Sequence, residues 1–206
     1  MYYRYGGGEE VILCLYVDDI LILGSSLKVI EEVKEFLSKN FEIKDLGEAD
    51  VILNIKLLRE GDVGVTLLQS HYMEKVLSRF GFSDYTPAPT PYDPSVLLRK
   101  NRRIERDQLR YSQIIGSLMY LASARRPDIS FAVSKLSRFV SNPGDTHWSA
   151  LERVLRYLKG TMTYGIHFTG YPRVLEGYCD ANWISDADEL YATSGYAFLL
   201  GGGVVS

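Results

Sequence analysis

Asp18 and Asp19 are two adjacent acids inside an otherwise apolar run, Val11 to Leu23, and they are the residues best suited to chemistry. Side by side their charges repel and partial burial penalises both, so the pair calls for a cation. At the tip of a hairpin they can converge with a third carboxylate on two Mg²⁺ ions roughly 3.5 to 4 Å apart, the arrangement of two-metal phosphoryl transfer. A β-turn that simply favours Asp at its tip gives the same local pattern. Asp180 ends another apolar run, where a turn or capping role is the ordinary one. The stretch Arg99 to Arg110 sets Arg99, Lys100, Arg102, Arg103, Arg106 and Arg110 against Glu105 and Asp107. It suits nucleic-acid phosphates or, equally, a solvated linker. His71, His147 and His167 fall in separate elements, which argues against a metal cluster.

The elements that must position these groups are readable from periodicity. Val11 to Tyr16 and Ile20 to Leu23 flank Val17-Asp18-Asp19 as the arms of a hairpin. Ser25 or Ser26 caps a helix whose inner stripe is Ile30, Val33, Phe36 and Leu37. After the Leu46-Gly47 break a strand is expected over Val51 to Leu57. A turn at Glu60-Gly61-Asp62-Val63-Gly64 then reverses the chain into Val65 to Leu68. Ser70 opens a second helix with Tyr72, Met73, Val76, Leu77 and Phe80 inward. Pro87, Pro89, Pro91 and Pro94 forbid helix and favour an extended connector. Three helices are expected next: Ile114 to Ala122, Pro127 to about Val140, and Trp148 to Leu158 capped by Thr146. Gly165 to Thr169, Leu175 to Cys179 and Tyr191 to Leu200 read as strands.

Bulk properties set the class. The chain has 206 residues, 46% hydrophobic and 24% charged, the profile of a packed globular protein. The longest apolar stretch is interrupted by two acids and is too short to span a bilayer. No targeting signal is apparent, so cytoplasm or nucleus is the default compartment. The net charge of −3 argues against indiscriminate nucleic-acid binding by the whole surface. Cys14 and Cys179 cannot support a disulfide framework or a zinc site and read as small core residues.

Tyr16-Val17-Asp18-Asp19, followed by Ile20-Leu21-Ile22 and by Phe41-Glu42-Ile43-Lys44-Asp45-Leu46-Gly47-Glu48, closely resembles the reverse transcriptase of copia-type LTR retrotransposons. Gln69-Ser70-His71-Tyr72, Pro89-Thr90-Pro91, Tyr111 to Leu121, Arg126-Pro127-Asp128-Ile129, Arg138 to Pro143, His147-Trp148 and Val154 to Thr161 continue the likeness in order. Gly177 to Trp183, with Thr193 to Tyr196, resembles the opening of that family's ribonuclease H domain. The resemblance implies an α+β architecture. Residues 1–83 would form a partial reverse-transcriptase palm with the YVDD hairpin, and residues 84–107 a proline-rich and basic linker. Residues 108–162 would form a helical thumb or connecting region, and residues 163–206 the N-terminal part of an incomplete ribonuclease H-like sheet.

The same resemblance implies RNA-templated DNA synthesis from deoxynucleoside triphosphates with Mg²⁺, or Mn²⁺, on an RNA template and DNA primer. Asp18 would be the main metal ligand and Asp19 its assistant, one ion activating the primer 3′-hydroxyl and the other holding the triphosphate. Tyr16 and Val17 would lie against primer or nucleotide, and Asp180 would match the first ribonuclease H carboxylate. Val51 to Leu57 would correspond to the primer-gripping region, with Asn54 where the family commonly has Gly. Only 17 residues precede Asp18, so the family's upstream palm Asp is missing, and the later ribonuclease H acids should lie beyond Ser206. The chain alone is therefore expected to be inert. The alternative is a non-catalytic nucleic-acid-binding or co-opted interaction protein that keeps the basic stretch without the chemistry.

Overall fold

The computed structural model describes residues 2–4, 9–59, 61, 64–102, 107–182 and 193–205. It is mixed α and β and divides into two compact units, Met1–Asp50 and Val51–Ser206. Among the described residues no helix is long and apolar enough to cross a membrane.

In the first unit β1 (Tyr2–Arg4), β2 (Val11–Tyr16) and β3 (Asp19–Gly24) form an antiparallel sheet in that order, followed by α1 (Leu27–Asn40). The β2–β3 hairpin is the one expected from its apolar arms. Ser26 caps α1 by accepting the Val29 N–H, satisfying one donor that the first helical turn leaves open. The helix rests against β3, with Val29 buried and Ile30, Val33 and Leu37 half-buried. Phe36, expected inward, is 64% exposed, and Val29 takes its place in the stripe. Gly47 follows in a left-handed turn (φ 79°), its N–H donating to Asp45, which also pairs with Lys34 at 3.0 Å.

The second unit begins with a tight hairpin. The single strand expected over Val51 to Leu57 is a hairpin, β4 (Val51–Ile52) and β5 (Ile55–Arg59), reversed by Leu53 (φ 52°) and Asn54 (φ 61°). Two consecutive left-handed residues make a type I′ turn, whose twist matches that of the strands. Asn tolerates this conformation almost as well as Gly, whereas Leu does not. Replacing Leu53-Asn54 by Asn-Gly is accordingly expected to raise the unfolding free energy by about 1 kcal/mol, read as a higher urea midpoint at unchanged slope. Glu60, Asp62 and Val63 of the next expected turn lie outside the described residues, but β6 (Val65–Leu68) does pair antiparallel with β5.

α2 (Ser70–Phe80), α3 (Gln108–Ala124), α4 (Ser130–Ser137) and α5 (Asp145–Gly160) enclose the main core. Met73, Val76, Leu77 and Phe80 meet Ile114, Leu118 and Leu121 of α3, Leu136 of α4 and Leu151, Leu155 and Leu158 of α5, all buried. The helix expected from Pro127 begins as a 3-10 turn, Pro127–Ile129, and its α-helical part stops at Ser137. α3 starts six residues before Ile114, with Asp107 accepting the Arg110 N–H at its N-cap. Thr146 is not the cap of α5: it lies inside the helix, and the Gly144 N–H donates to His147 Nδ1 at 2.9 Å. The proline-rich segment is non-helical and follows α5, where Arg153 donates to Thr90, Arg156 to the Thr86 carbonyl and Lys159 to the Ser83 carbonyl.

The strand at Gly165 is also placed differently from expectation. β7 (Gly165–Phe168) pairs with β6, closing a sheet of order β4-β5-β6-β7, while β8 (Glu176–Asn182), β9 (Thr193–Leu200) and β10 (Gly203–Val204) form a separate antiparallel sheet. Gly165 permits the β6–β7 approach, since a Cβ there would sit 2.4 Å from the Leu67 carbonyl oxygen. Tyr191, expected to open β9, lies outside the described residues.

Candidate functional site at the first hairpin

β2 and β3 run in register from Val11↔Gly24 to Tyr16↔Asp19, leaving only Val17 and Asp18 in the loop. A two-residue reversal needs an unusual backbone, and Val17 supplies it at φ 50°. Positive φ at the first of two central residues is the type II′ pattern, normally filled by Gly, and a β-branched residue there is strained. Val17 projects outward at 87% exposed. Tyr16, 57% exposed, stands directly across the strand pair from Asp19, so the two side chains share a face. Asp18 and Asp19 are both exposed and neither has a hydrogen-bond or ion-pair partner among the described residues.

Two free carboxylates at one tip offer hard oxygen donors of the kind that Mg²⁺ takes. Among the described residues, however, no group of three or more acids, histidines and cysteines is assembled to hold a metal ion. The donor chemistry fits a divalent cation, and the donor count calls for a further carboxylate.

The other expected site residues belong to the second unit. Asp180 lies in β8 opposite Gly195, exposed and without a partner among the described residues. Arg99, Lys100 and Arg102 are exposed on the segment leading to α3, and Arg103 lies outside the described residues. Cys179, expected as core, is exposed, while Cys14 is half-buried. The three histidines stay apart. His71 faces Glu74 at 3.8 Å, and His167 Nδ1 meets Thr66 Oγ1 at 2.8 Å across β6 and β7. His147 stacks on Phe139 at 4.0 Å, and burial pushes its pKa down.

One cluster that the sequence presents only as a motif is a dense polar network. Arg126, 1% exposed, donates from Nε to Asp128 at 2.9 Å and from Nη2 to Asp128 Oδ2 at 2.8 Å. It also donates to the Thr161 carbonyl at 3.1 Å and to Thr161 Oγ1 at 2.6 Å, and Tyr157 donates to Asp128 at 2.9 Å. Burial pushes the Asp128 carboxyl up, but the Arg126 guanidinium and the Tyr157 hydroxyl outweigh it, and the pKa falls below its ordinary value. These bonds tie the α3–α4 corner to α5, so Arg126-Pro127-Asp128-Ile129 serves the fold.

Comparison with known proteins points one way. The reverse transcriptase (RNA-dependent DNA polymerase) family profile matches residues 1–94. The retrovirus-related Pol polyprotein from transposon TNT 1-94 of Nicotiana tabacum is 39% identical over 211 residues, covering 98% of this chain and 16% of that protein. The Pol polyprotein from transposon RE2 of Arabidopsis thaliana is 37% identical, covering 95% of this chain and 13% of its own length. A putative transposon Ty5-1 protein of Saccharomyces cerevisiae is 32% identical, covering 100% of this chain and 68% of that protein. The chain thus spans about one-sixth or less of the length of the two plant polyproteins. No solved structure matches it.

Proposed function

Because this chain belongs to the copia-type retrotransposon Pol family, we propose that it carries the metal-binding hairpin of an RNA-directed DNA polymerase. The observation that carries this reading is the exposed, partnerless Asp18-Asp19 pair at a two-residue hairpin tip. In the complete enzyme Asp18 is the principal ligand and Asp19 the assistant, with a further acid supplied by another Pol segment. Bound Mg²⁺, or Mn²⁺, supplies charge to activate the primer 3′-hydroxyl and to steady the triphosphate. This chain's own contribution is to fix the two carboxylates on a rigid strand pair and to present Tyr16 and Val17 beside them to the primer end or incoming nucleotide. Arg99, Lys100, Arg102 and Arg103 would track template or hybrid phosphates. Asp180 would be the first carboxylate of a ribonuclease H site completed elsewhere in the polyprotein. By itself the chain polymerises nothing at a useful rate.

The test is a chimaera in which this chain replaces its matching segment in the tobacco TNT 1-94 Pol polyprotein. Extension of an oligo(dT) primer on poly(rA) with Mg²⁺ or Mn²⁺ is the expected result. A chimaera that binds the hybrid as tightly as its parent yet incorporates nothing would overturn the reading. A second reading, nucleic-acid binding without catalysis, is favoured by the exposure of Arg99, Lys100 and Arg102. It requires the isolated chain to bind an RNA/DNA hybrid with an affinity that falls with salt and weakens when Arg102 and Arg103 are replaced.

A further inference from the structure

A cleft of about 490 Å³ opens where the C-terminal end of α2 meets the start of α3 and one face of α5, inside the second unit. Its volume lies within the roughly 300–1,000 Å³ of ordinary ligand pockets. Four aromatic side chains line it: Phe80, Phe82, Tyr85 and Trp148. Phe82 and Tyr85 stand with ring centroids 4.6 Å apart, and Trp148 is braced edge-on by Tyr111 at 5.5 Å. Phe82 is 5% exposed but Tyr85 is 47% exposed, so the aromatic wall is rooted in the core and open at its rim.

The charged groups of the cleft are unequal. Arg110 is committed to the fold, its Nη2 donating at 2.9 Å to the Phe80 carbonyl at the end of α2. Asp107 uses one oxygen to accept the Arg110 N–H. Glu152 is half-buried and has no hydrogen-bond or ion-pair partner among the described residues. It stands four residues after Trp148 on α5, on the same helical face. A half-buried carboxylate without a partner is unfavourable. Aromatic faces beside such a carboxylate attract a cation that is itself weakly hydrated.

We propose that this cleft binds the guanidinium group of an arginine side chain on a partner polypeptide, with Glu152 as its counter-ion and Tyr85 as its stacking wall. A compact metal ion is a poor fit, because the lining offers only two carboxylates, Asp107 and Glu152, and one oxygen of Asp107 is already taken by the Arg110 N–H. The site is remote in sequence from Asp18 and Asp19 and stands whether or not the polymerase reading holds.

The experiment titrates the whole chain, carrying Trp183→Phe so that Trp148 is the reporter, with acetyl-Gly-Arg-Gly-amide. The neutral citrulline peptide and free ethylguanidinium are titrated in parallel. Saturable change in tryptophan emission with the arginine peptide is expected, with binding about fivefold weaker or worse for the citrulline peptide, for Glu152→Gln and for Tyr85→Ala. Glu152→Gln keeps the side chain's shape, so a matching thermal melt makes its result independent of folding. Equal response to the citrulline peptide, or an unchanged affinity in Glu152→Gln, would sink the proposal. Ethylguanidinium binding as tightly as the peptide would overturn the polypeptide partner in favour of a small guanidinium compound.

Discussion

Replacing Arg126 by methionine is expected to lower the unfolding free energy by about 3–5 kcal/mol, the cost typical of breaking a buried ion pair by removing one partner. Methionine fills much of the space but leaves the Thr161 carbonyl and hydroxyl, now bonded to the guanidinium in a site 7% exposed, without that donor. Asp128→Asn should also destabilise, because the guanidinium it faces is buried and cannot hydrate in its place. The double replacement is expected to cost less than the sum of the two, since each single change strands the other's charge. The pH dependence follows from the depressed Asp128 pKa. Its folded value lies below the unfolded one, so its contribution is complete above the ordinary carboxylate range, near 4, and is lost as pH falls through the folded value. Guanidinium melts of the wild type and Asp128→Asn between pH 7 and pH 3 should therefore converge toward the acid end. Parallel curves over that range would show that the ion pair does not contribute.

That network illustrates which features of the chain were legible in its sequence. The first hairpin was, because its apolar arms alternate with a polar interruption and every pairing from Val11↔Gly24 to Tyr16↔Asp19 is local. α2 was, because five inward residues recur at helical spacing. The Leu53-Asn54 turn was not, since Leu carries no turn signal. The one cue was Asn54 at a position where the family commonly has Gly, which the left-handed backbone there now explains. The pairing of β7 with β6 was also hidden. Thr66 and His167 meet across 101 residues, and local pattern carries no information about so distant a register. Arg126 stands out in the sequence only as part of a motif, because hydrophobic patterning sends arginine to the surface and gives no warning of one that is 1% exposed. Phe36 failed in the opposite sense, apolar and at helical spacing yet 64% exposed. Periodicity shows that a face exists but locates its centre only to within a residue or two.

The second large effect concerns the hairpin tip. In the tobacco chimaera Asp18→Asn is expected to reduce primer extension roughly 10³-fold or more, about 4 kcal/mol of transition-state stabilisation. Asparagine keeps the size of the side chain but removes the charge that, on the polymerase reading, holds a divalent ion, and Asp18 lies in the loop, the last position the pairing leaves free before Asp19 resumes the strand. Asp19→Asn is expected to lose less, as an assisting ligand fixed opposite Tyr16. Both variants should melt within about 0.5 kcal/mol of the parent, because neither carboxylate has a partner among the described residues and both are exposed. Folding and catalysis thereby separate at this tip, and comparison with Val17→Gly sharpens the separation. Glycine relieves the positive φ of Val17 and should leave the hairpin at least as stable, while removing a side chain that is 87% exposed beside the paired acids. A Val17→Gly chimaera that melts no lower than its parent but binds nucleotide more weakly would show that the strain at this position serves the site. If Asp18→Asn extended primers as fast as the parent, the paired acids would be no more than turn residues.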